Sequence, residues 1–504
     1  MGSKSDGSAP QRHIEVERKF DVGPDGVDPR FDGLAAVTRV DRQPTQALDA
    51  VYFDTAGHDL ANSRITLRRR TGGLDSGWHL KLPAGPDART ELRAPLDTSA
   101  MPPEEIVDVV RAIVRDRPLV PVAGISTVRK VTVLFGANGA ELAEFCDDEV
   151  TARAIDPVDG TRGEDQRWHE WELELVNGKG SKSDAQLLDQ LGRRLIDAGG
   201  SPAGHGSKLA KVLDAARSTS SDEASAVPPS DPVHRAVAEH VAELVQWDRA
   251  VRADTYDSVH QMRVTTRKIR SLLQSSGEAF GLTDDSWVLD ELRQLAGVLG
   301  VARDAEVLAE RYERALDALP PHLVRGPVRE RLVDGAKRQY RAGLRQSISA
   351  MRSPRYFRLL DSLDQLVAAD PLEQGRSHTQ NLDSAYRRVH KAAKSAAAAA
   401  KADRDEALHR IRKGAKKLRY VAAATGESEV ADKAKTIQTL LGDHQDSVVS
   451  RTHLCRESAA AHAAGEDTFT YGLLYQREDD LAQRCREDLD DALALLRKCV
   501  RKAR

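Results

Sequence analysis

Between residues 13 and 176 charged side chains return at every second position, segment after segment. The runs HIEVERKF, ALDAVYFDT, RITLRRR, WHLKLP, STVRKVTVLF, ELAEFCDDEV and WHEWELEL alternate with a period of two and are separated by Gly, Pro and Asp turns. That is the pattern of strands in a largely antiparallel sheet or barrel. Glu15, Glu17 and Lys19 share one strand face, as do Arg68 with Arg70, and Glu170 with Glu172 and Glu174; Ile14, Val16, Leu173 and Leu175 supply the other face. A single strand of this kind usually turns its charges to water. Seven such strands fit instead a polar-lined tunnel whose apolar exterior helices must cover. The segments SDAQLLDQLGRRLIDAG and SKLAKVLDAA read as covering helices.

The pattern then changes. Residues 216–232, ARSTSSDEASAVPPSDP, hold almost no large apolar side chain and read as a linker, with a coil reach of roughly 20 to 25 Å. Beyond it apolar residues recur at three and four spacing, which predicts a helical bundle. A length of 504 residues asks for more than one core. The fold class expected is therefore multi-domain α+β: a frayed segment 1–12, a β tunnel at 13–215, the linker at 216–232 and an all-α domain at 233–504. The helical half repeats itself. VHQMRVTTRKIRSLL matches LHRIRKGAKKLRYVA with His260 and His409 149 positions apart, and LAGVLGVARDAEVL matches IQTLLGDHQDSVVS with Asp304 and Asp446 142 apart.

The formal net charge of -3 excludes a simple basic coat for nucleic acid, so local charge must carry any argument about anions. Cys146, Cys455, Cys485 and Cys499 form no CxxC pair, which argues against a zinc site or a disulfide framework and for a reducing cytoplasm. The sequence lacks an apolar run of membrane-spanning length and a signal-peptide core, so a cytoplasmic protein without membrane association is expected.

On a strand, Glu15, Glu17 and Lys19 project from one side about 7 Å apart in steps of two residues. Carboxylates so placed suit Mg²⁺ or Mn²⁺, which share their coordination with phosphates and water. Arg68, Arg70, Lys81 and Arg129 can hold phosphate oxygens, arginine through a forked pair of hydrogen bonds and lysine as a point charge.

HIEVERKF, followed by RITLRRR, WHLKL, EWELEL and SKLAKVL in order, resembles the CYTH family, the triphosphate tunnel metalloenzymes, over nearly all of residues 13 to 214. The resemblance implies an eight-stranded antiparallel tunnel barrel that binds triphosphate with divalent metal. It places Glu15, Glu17, Asp147, Glu170, Glu172 and Glu174 at the metal, with Asp148 as the one-residue alternative to Asp147. It places Lys19, Arg68, Arg70, Lys81, Arg129 and Lys208 on the triphosphate. Catalysis then falls to Glu15, Glu17, Lys19, Glu170 and Glu172. The same resemblance admits a class IV nucleotide cyclase, and a tunnel without turnover would leave a scaffold.

In the helical half, His260, Arg263 and Arg267 form one stripe with Lys268 beside it, and His409, Arg412, Lys413, Lys416 and Arg419 form another. Neither run is interrupted by an acid, so their self-repulsion calls for a polyanion. Aromatic residues make up only 4% of the chain, too few for base-stacking platforms, which argues against nucleic acid. HQMRVTTRKIRSLL, LGVARDAEVL, HRIRKGAKKLRY and LLGDHQD together resemble the CHAD family from about Pro232 onward. That resemblance implies binding of inorganic polyphosphate by both stripes, extended by Arg387 and Lys391, with Asp304 and Asp446 orienting the cations. It implies, too, association with polyphosphate granules.

Overall fold

The computed structural model describes residues 11–217, 232–275, 280–283, 286–369, 382–400, 403–424 and 426–502. Most of the expected frayed start and of the linker lies outside these residues, although Gln11 and Arg12 are already strand.

Ten strands form one antiparallel sheet: β1 (Gln11–Val22), β2 (Arg39–Arg42), β3 (Gln46–Asp54), β4 (Thr66–Thr71), β5 (Gly77–Pro83), β6 (Ala88–Ala94), β7 (Val120–Phe135), β8 (Glu141–Ala154), β9 (Gln166–Leu175) and β10 (Gly200–Pro202). The order β1-β6-β5-β4-β3-β7-β8-β9 returns to β1, so eight strands close a barrel, with β2 and β10 added at its margins. Closure depends on the length of β1, whose first half pairs with β6 and whose second half pairs with β9. The barrel strand that the alternation had not revealed is β6, ARTELRA, with Arg89, Glu91 and Arg93 at alternate positions, and the marginal β2 and β10 also lie outside the seven runs.

Side-chain parity divides the barrel cleanly. On β1, Val16 and Phe20 join Phe145, Trp171 and Leu173 outside, under Leu188, Leu191 and Leu195 of α3 (Lys182–Asp197), as expected of a covering helix. On the far wall, Phe53, Leu67, Trp78 and Leu80 pack under Ile106, Val110 and Val114 of α2 (Glu104–Val114), which follows the short α1 (Asp59–Asn62). Each fully covered Leu contributes about 1.5–3 kcal/mol, so the apolar faces hold the helices on and leave the charged faces to the lumen. The second expected cover, α4 (Lys208–Arg217), closes an end and not the wall. Its Leu209, Val212 and Leu213 pack against Tyr52, Ile125, Val150 and Ala152, which share faces with lumen residues.

The remaining described helices are α5 (Pro232–Arg252), α6 (Ser258–Ser275), α7 (Trp287–Asp317), α8 (Gly335–Met351), α9 (Pro354–Ala368), α10 (Leu382–Ala397), α11 (Arg404–Ala424), α12 (Ser428–Ala463) and α13 (Phe469–Lys502). Compact units divide elsewhere than composition does: one comprises Met1–Ser258 with Met351–Ala368, the other Val259–Ala350 with Ala369–Arg504. Thus α5 and α9 pack with the barrel unit. Arg249 of α5 donates to the Val109 carbonyl at 3.2 Å, and Arg115 at the end of α2 reaches Asp361 and Asp364 of α9. In the second unit, α10 to α13 share a core that includes Val389, Ile411, Leu418, Ile437 and Leu496. No helix among the described residues is long and apolar enough to cross a membrane.

Candidate functional site

Because barrel strands alternate, the residues singled out by period two arrive together in the lumen. Lys208, the first residue of α4, donates to Glu172 at 2.8 Å and lies 2.9 Å from Asp148 and 2.6 Å from Glu170. Lys19 is 2.9 Å from Glu17 and also pairs with Glu172. Arg129 makes a forked pair with Asp148 at 2.8 and 2.6 Å and a further bond to Glu172 at 2.5 Å. Lys81 stands 2.6 Å from Glu15. Arg68 donates to the Tyr52 hydroxyl at 3.4 Å, and Arg70 pairs with Asp75. All six cations named from the sequence therefore line one lumen.

The electrostatics follow from this pairing. Burial opposes ionisation of Glu17, but Lys19 and Lys81 outweigh it and hold the carboxyl at about 2. Glu170 is likewise held at about 2 against burial, chiefly by Lys208. Burial, with Arg68 and Arg129 beside it, pulls Arg70 down to about 9. Glu174 goes the other way, pushed up to about 7 by burial and by Glu15, Glu17 and Glu172, and it makes no ion pair among the described residues.

One expected ligand is corrected. Asp147 lies on the outer face, where it bonds His169 and accepts from Trp171 Nε1 at 3.1 Å. Asp148, cross-strand from Glu170 and fully buried, takes its place in the lumen. A one-residue step along a strand changes the face, and two adjacent aspartates gave the sequence no parity to choose by.

The lumen also holds residues that the motif reading missed. Glu91, fully buried, pairs with Arg93 and with His79 at 2.8 Å, while Arg89 lies 3.7 Å from Glu17. The signal was available in the Arg-x-Glu-x-Arg of β6. Among the described residues, two donor groups have ligand atoms mutually within 4.8 Å: Asp148, Glu170 and Glu172 in the interior, and His13, Glu15 and Glu174. Hard oxygen donors dominate both, so the donor sets fit Mg²⁺ or Mn²⁺.

In the second unit the two basic stripes converge. Lys416 of α11 is lowered to about 8 by burial and by Arg267, Arg412, Arg263 and Arg419, so members of both copies face one another. The repeats also seat their arginines alike. A Cβ on Gly300 of α7 would lie 3.4 Å from Arg263 Nε, and one on Gly442 of α12 would lie 3.5 Å from an Arg412 Nη. Each glycine thereby leaves room for a guanidinium flat against the neighbouring helix. Asp446 senses Arg311 and Arg412 as well as Asp304, which places the acidic pair of the repeat beside this arginine. Burial, then Lys413 and Arg412, lower His409. Arg387 and Lys391 are exposed on α10, where Arg387 donates to the Asp383 carbonyl at 3.3 Å.

A family model for the CYTH domain matches residues 13–190, and one for the CHAD domain matches residues 235–455. Two proteins of Mycobacterium tuberculosis, from strains CDC 1551 / Oshkosh and ATCC 25618 / H37Rv and both described as uncharacterized, are each 63% identical over 510 aligned positions, covering 98% of this chain and 98% of theirs. Among solved structures, the CHAD domain from the plant Ricinus communis is similar at 21% identity, over 55% of this chain and 95% of that one, with a TM-score of 0.41. PptA from Streptomyces chartreusis is similar at 17% identity, over 53% of this chain and 99% of that one, with a TM-score of 0.42.

Proposed function

The chain belongs to the CYTH–CHAD family, and on that premise we propose that it is a divalent-metal-dependent triphosphatase acting on inorganic triphosphate, joined to a helical surface that binds inorganic polyphosphate. The observation that carries the reading is the lumen, where six cations, five paired with carboxylates and Arg68 with the Tyr52 hydroxyl, line a buried space closed at one end by α4.

Glu15, Glu17, Asp148, Glu170, Glu172 and Glu174 would hold the metal, which when bound neutralises phosphate charge and positions the triphosphate. The protein's own groups do the rest. Arg68, Arg70 and Arg129 present forks to equatorial phosphate oxygens, while Lys19, Lys81 and Lys208 supply point charges. Five of the cations exchange a carboxylate partner for a phosphate oxygen, and Arg68 exchanges the Tyr52 hydroxyl, so the charges are already in place when the substrate arrives. Glu170 and Glu172, released from Lys208, orient a water in line with the terminal phosphorus, the positioning that phosphoryl transfer chiefly requires. Since α4 stops one end, the reactive phosphates enter as a chain end.

In the second unit, the facing stripes of α6 and α11 supply the polyphosphate grip, with Lys416 and its four arginine neighbours at the centre. Phosphate release is the test: inorganic triphosphate, ATP and long-chain polyphosphate are supplied in parallel, with and without Mg²⁺ or Mn²⁺. Metal-dependent release, fastest on triphosphate, supports the reading. Cyclic nucleotide formation from ATP would replace it with a cyclase, and bound polyphosphate without release would replace it with a scaffold.

A further inference from the structure

His13 is the one nitrogen donor in the two groups that could hold a metal, and it stands at the lumen's wetter end. Its side chain is 39% exposed, against 9% for Lys208 at the start of α4. Strand parity puts it there, since His13, Glu15 and Glu17 are successive inward positions of β1, and His13 is the cross-strand partner of Glu91 on β6. The ring nitrogen Nε2 lies 3.6 Å from Glu15 Oε1 and 3.4 Å from Glu91 Oε2, so the imidazole turns that atom toward the acidic residues.

Arg93 Nη2 approaches the same nitrogen at 3.4 Å. A guanidinium has only donors, so this contact has a neutral imidazole accepting at Nε2, and a metal would take that lone pair in place of Arg93. The Arg93 Nε is itself committed to Glu91. The third donor, Glu174, is cross-strand from Glu17 and makes no ion pair among the described residues, while Glu15 has Lys81 at 2.6 Å and Arg93 at 3.7 Å.

We propose that His13, Glu15 and Glu174 form a mixed nitrogen–oxygen metal position at the open end of the lumen, and that His13 makes this position prefer Mn²⁺ to Mg²⁺. The proposal rests on the lumen being a metal site, the reading given above. Its chemistry is that of ligand type: carboxylate and water suit both ions, whereas an imidazole nitrogen suits transition metals and is a poor ligand for Mg²⁺. With Glu15 and Glu174 alone the two ions would compete on nearly equal terms. Adding His13 tilts the position toward the softer one.

The test uses the full chain without any phosphate, titrated with Mn²⁺ alone and Mg²⁺ alone by calorimetry, with pulsed electron paramagnetic resonance of the manganese form. Wild type should show nitrogen hyperfine modulation on bound Mn²⁺. His13→Ala should lose it and bind Mn²⁺ about tenfold more weakly, with Mg²⁺ affinity little changed. Glu174→Gln should lose the nitrogen signal and the manganese at that position together. Wild-type Mn²⁺ without nitrogen modulation, or an unchanged ratio of the two affinities in His13→Ala with its melting curve intact, overturns the proposal. If metal-dependent release of phosphate persists in that case, the triphosphatase reading stands and only the histidine's role falls. Absence of any metal binding, with or without triphosphate, would remove both.

Discussion

In the barrel, Lys208 is ringed by Asp148, Glu170 and Glu172, whereas Lys416 on α11 has Arg263, Arg267, Arg412 and Arg419 for neighbours. Both regions are dense in cations, yet the lysine of the first has three carboxylates within ion-pair distance and that of the second is crowded by four arginines. The consequences differ in sign. Burial costs a charge dearly unless it is paired, so the lumen's cations and acids sustain one another and the barrel is complete without ligand. The helical surface has like charges drawn together by the packing of α6, α7, α11 and α12, with Asp446 acting on Arg412, and a polyanion or salt relieves the repulsion that remains. Internal pairing suits a site that must exchange partners at defined positions. Unpaired charge suits a surface that accepts a chain of phosphates in many registers.

The contrast is broken most forcefully by removing a lumen carboxylate. Glu17→Gln should lower triphosphate turnover by about 10²–10³-fold, the usual worth of a lost electrostatic contact in a preorganised site, while polyphosphate binding by the helical unit stays unchanged. Rates and a filter-binding assay on the same preparation check both halves. Parallel loss in both assays would show that the two regions do not act separately.

Removing a cation from each region sharpens the difference. Lys208→Met leaves Asp148, Glu170 and Glu172 short of a partner, so it should destabilise the barrel by about 3–5 kcal/mol in denaturant unfolding. Lys416→Met relieves repulsion and should be within about 0.5 kcal/mol of neutral, or stabilising. Equal costs at the two sites would contradict the division between paired and unpaired charge.

Salt should separate the regions more gently. If about four phosphates are neutralised on the helical surface, doubling the salt should weaken polyphosphate binding by roughly five- to tenfold. The Michaelis constant for triphosphate should move by only about twofold, because buried pairs are poorly screened. Calorimetry and steady-state kinetics across the same salt series provide the comparison.

How far these regions were legible in the sequence depends on what each residue's placement required. Period two was enough for Glu15, Glu17, Lys19, Arg68, Arg70, Lys81, Glu170 and Glu172, since a strand's parity follows from its own neighbours. Asp147 and Asp148 are adjacent, so only the pairing of Asp148 with Glu170 decides which faces inward. Strand β6 was passed over because ARTELRA holds a single large apolar residue, Leu92, and its inward Arg89, Glu91 and Arg93 read locally as a solvated turn. The repeat was visible at 142 positions between Asp304 and Asp446, and the same spacing separates Gly300 from Gly442, but their use as seats for Arg263 and Arg412 needs helix packing to appear. Likewise, nothing in the periodicity of α5 and α9 says that they pack with the barrel unit; that follows from Arg249 meeting Val109 and from Arg115 meeting Asp361 and Asp364.

The smallest expected effect is the most specific to the helical surface. Burial, together with Arg267, Arg412, Arg263 and Arg419, lowers Lys416 to about 8. The folded apo protein therefore gives up this proton more readily than the unfolded chain, which keeps it to about 10.4. Between those values the unfolded state binds more protons, so the stability of the ligand-free unit rises with pH from about 8 upward. Polyphosphate binding runs oppositely: bound phosphates favour the charged ammonium, so the affinity is greatest below about 8 and declines above it as that charge is lost. One partly exposed contact is worth about two- to fivefold in affinity, measured between pH 7 and 9 at fixed salt. Lys416→Arg, which cannot titrate in that range, should abolish the decline. A decline that survives Lys416→Arg would place the titrating group elsewhere on the surface and remove Lys416 from the centre of the grip.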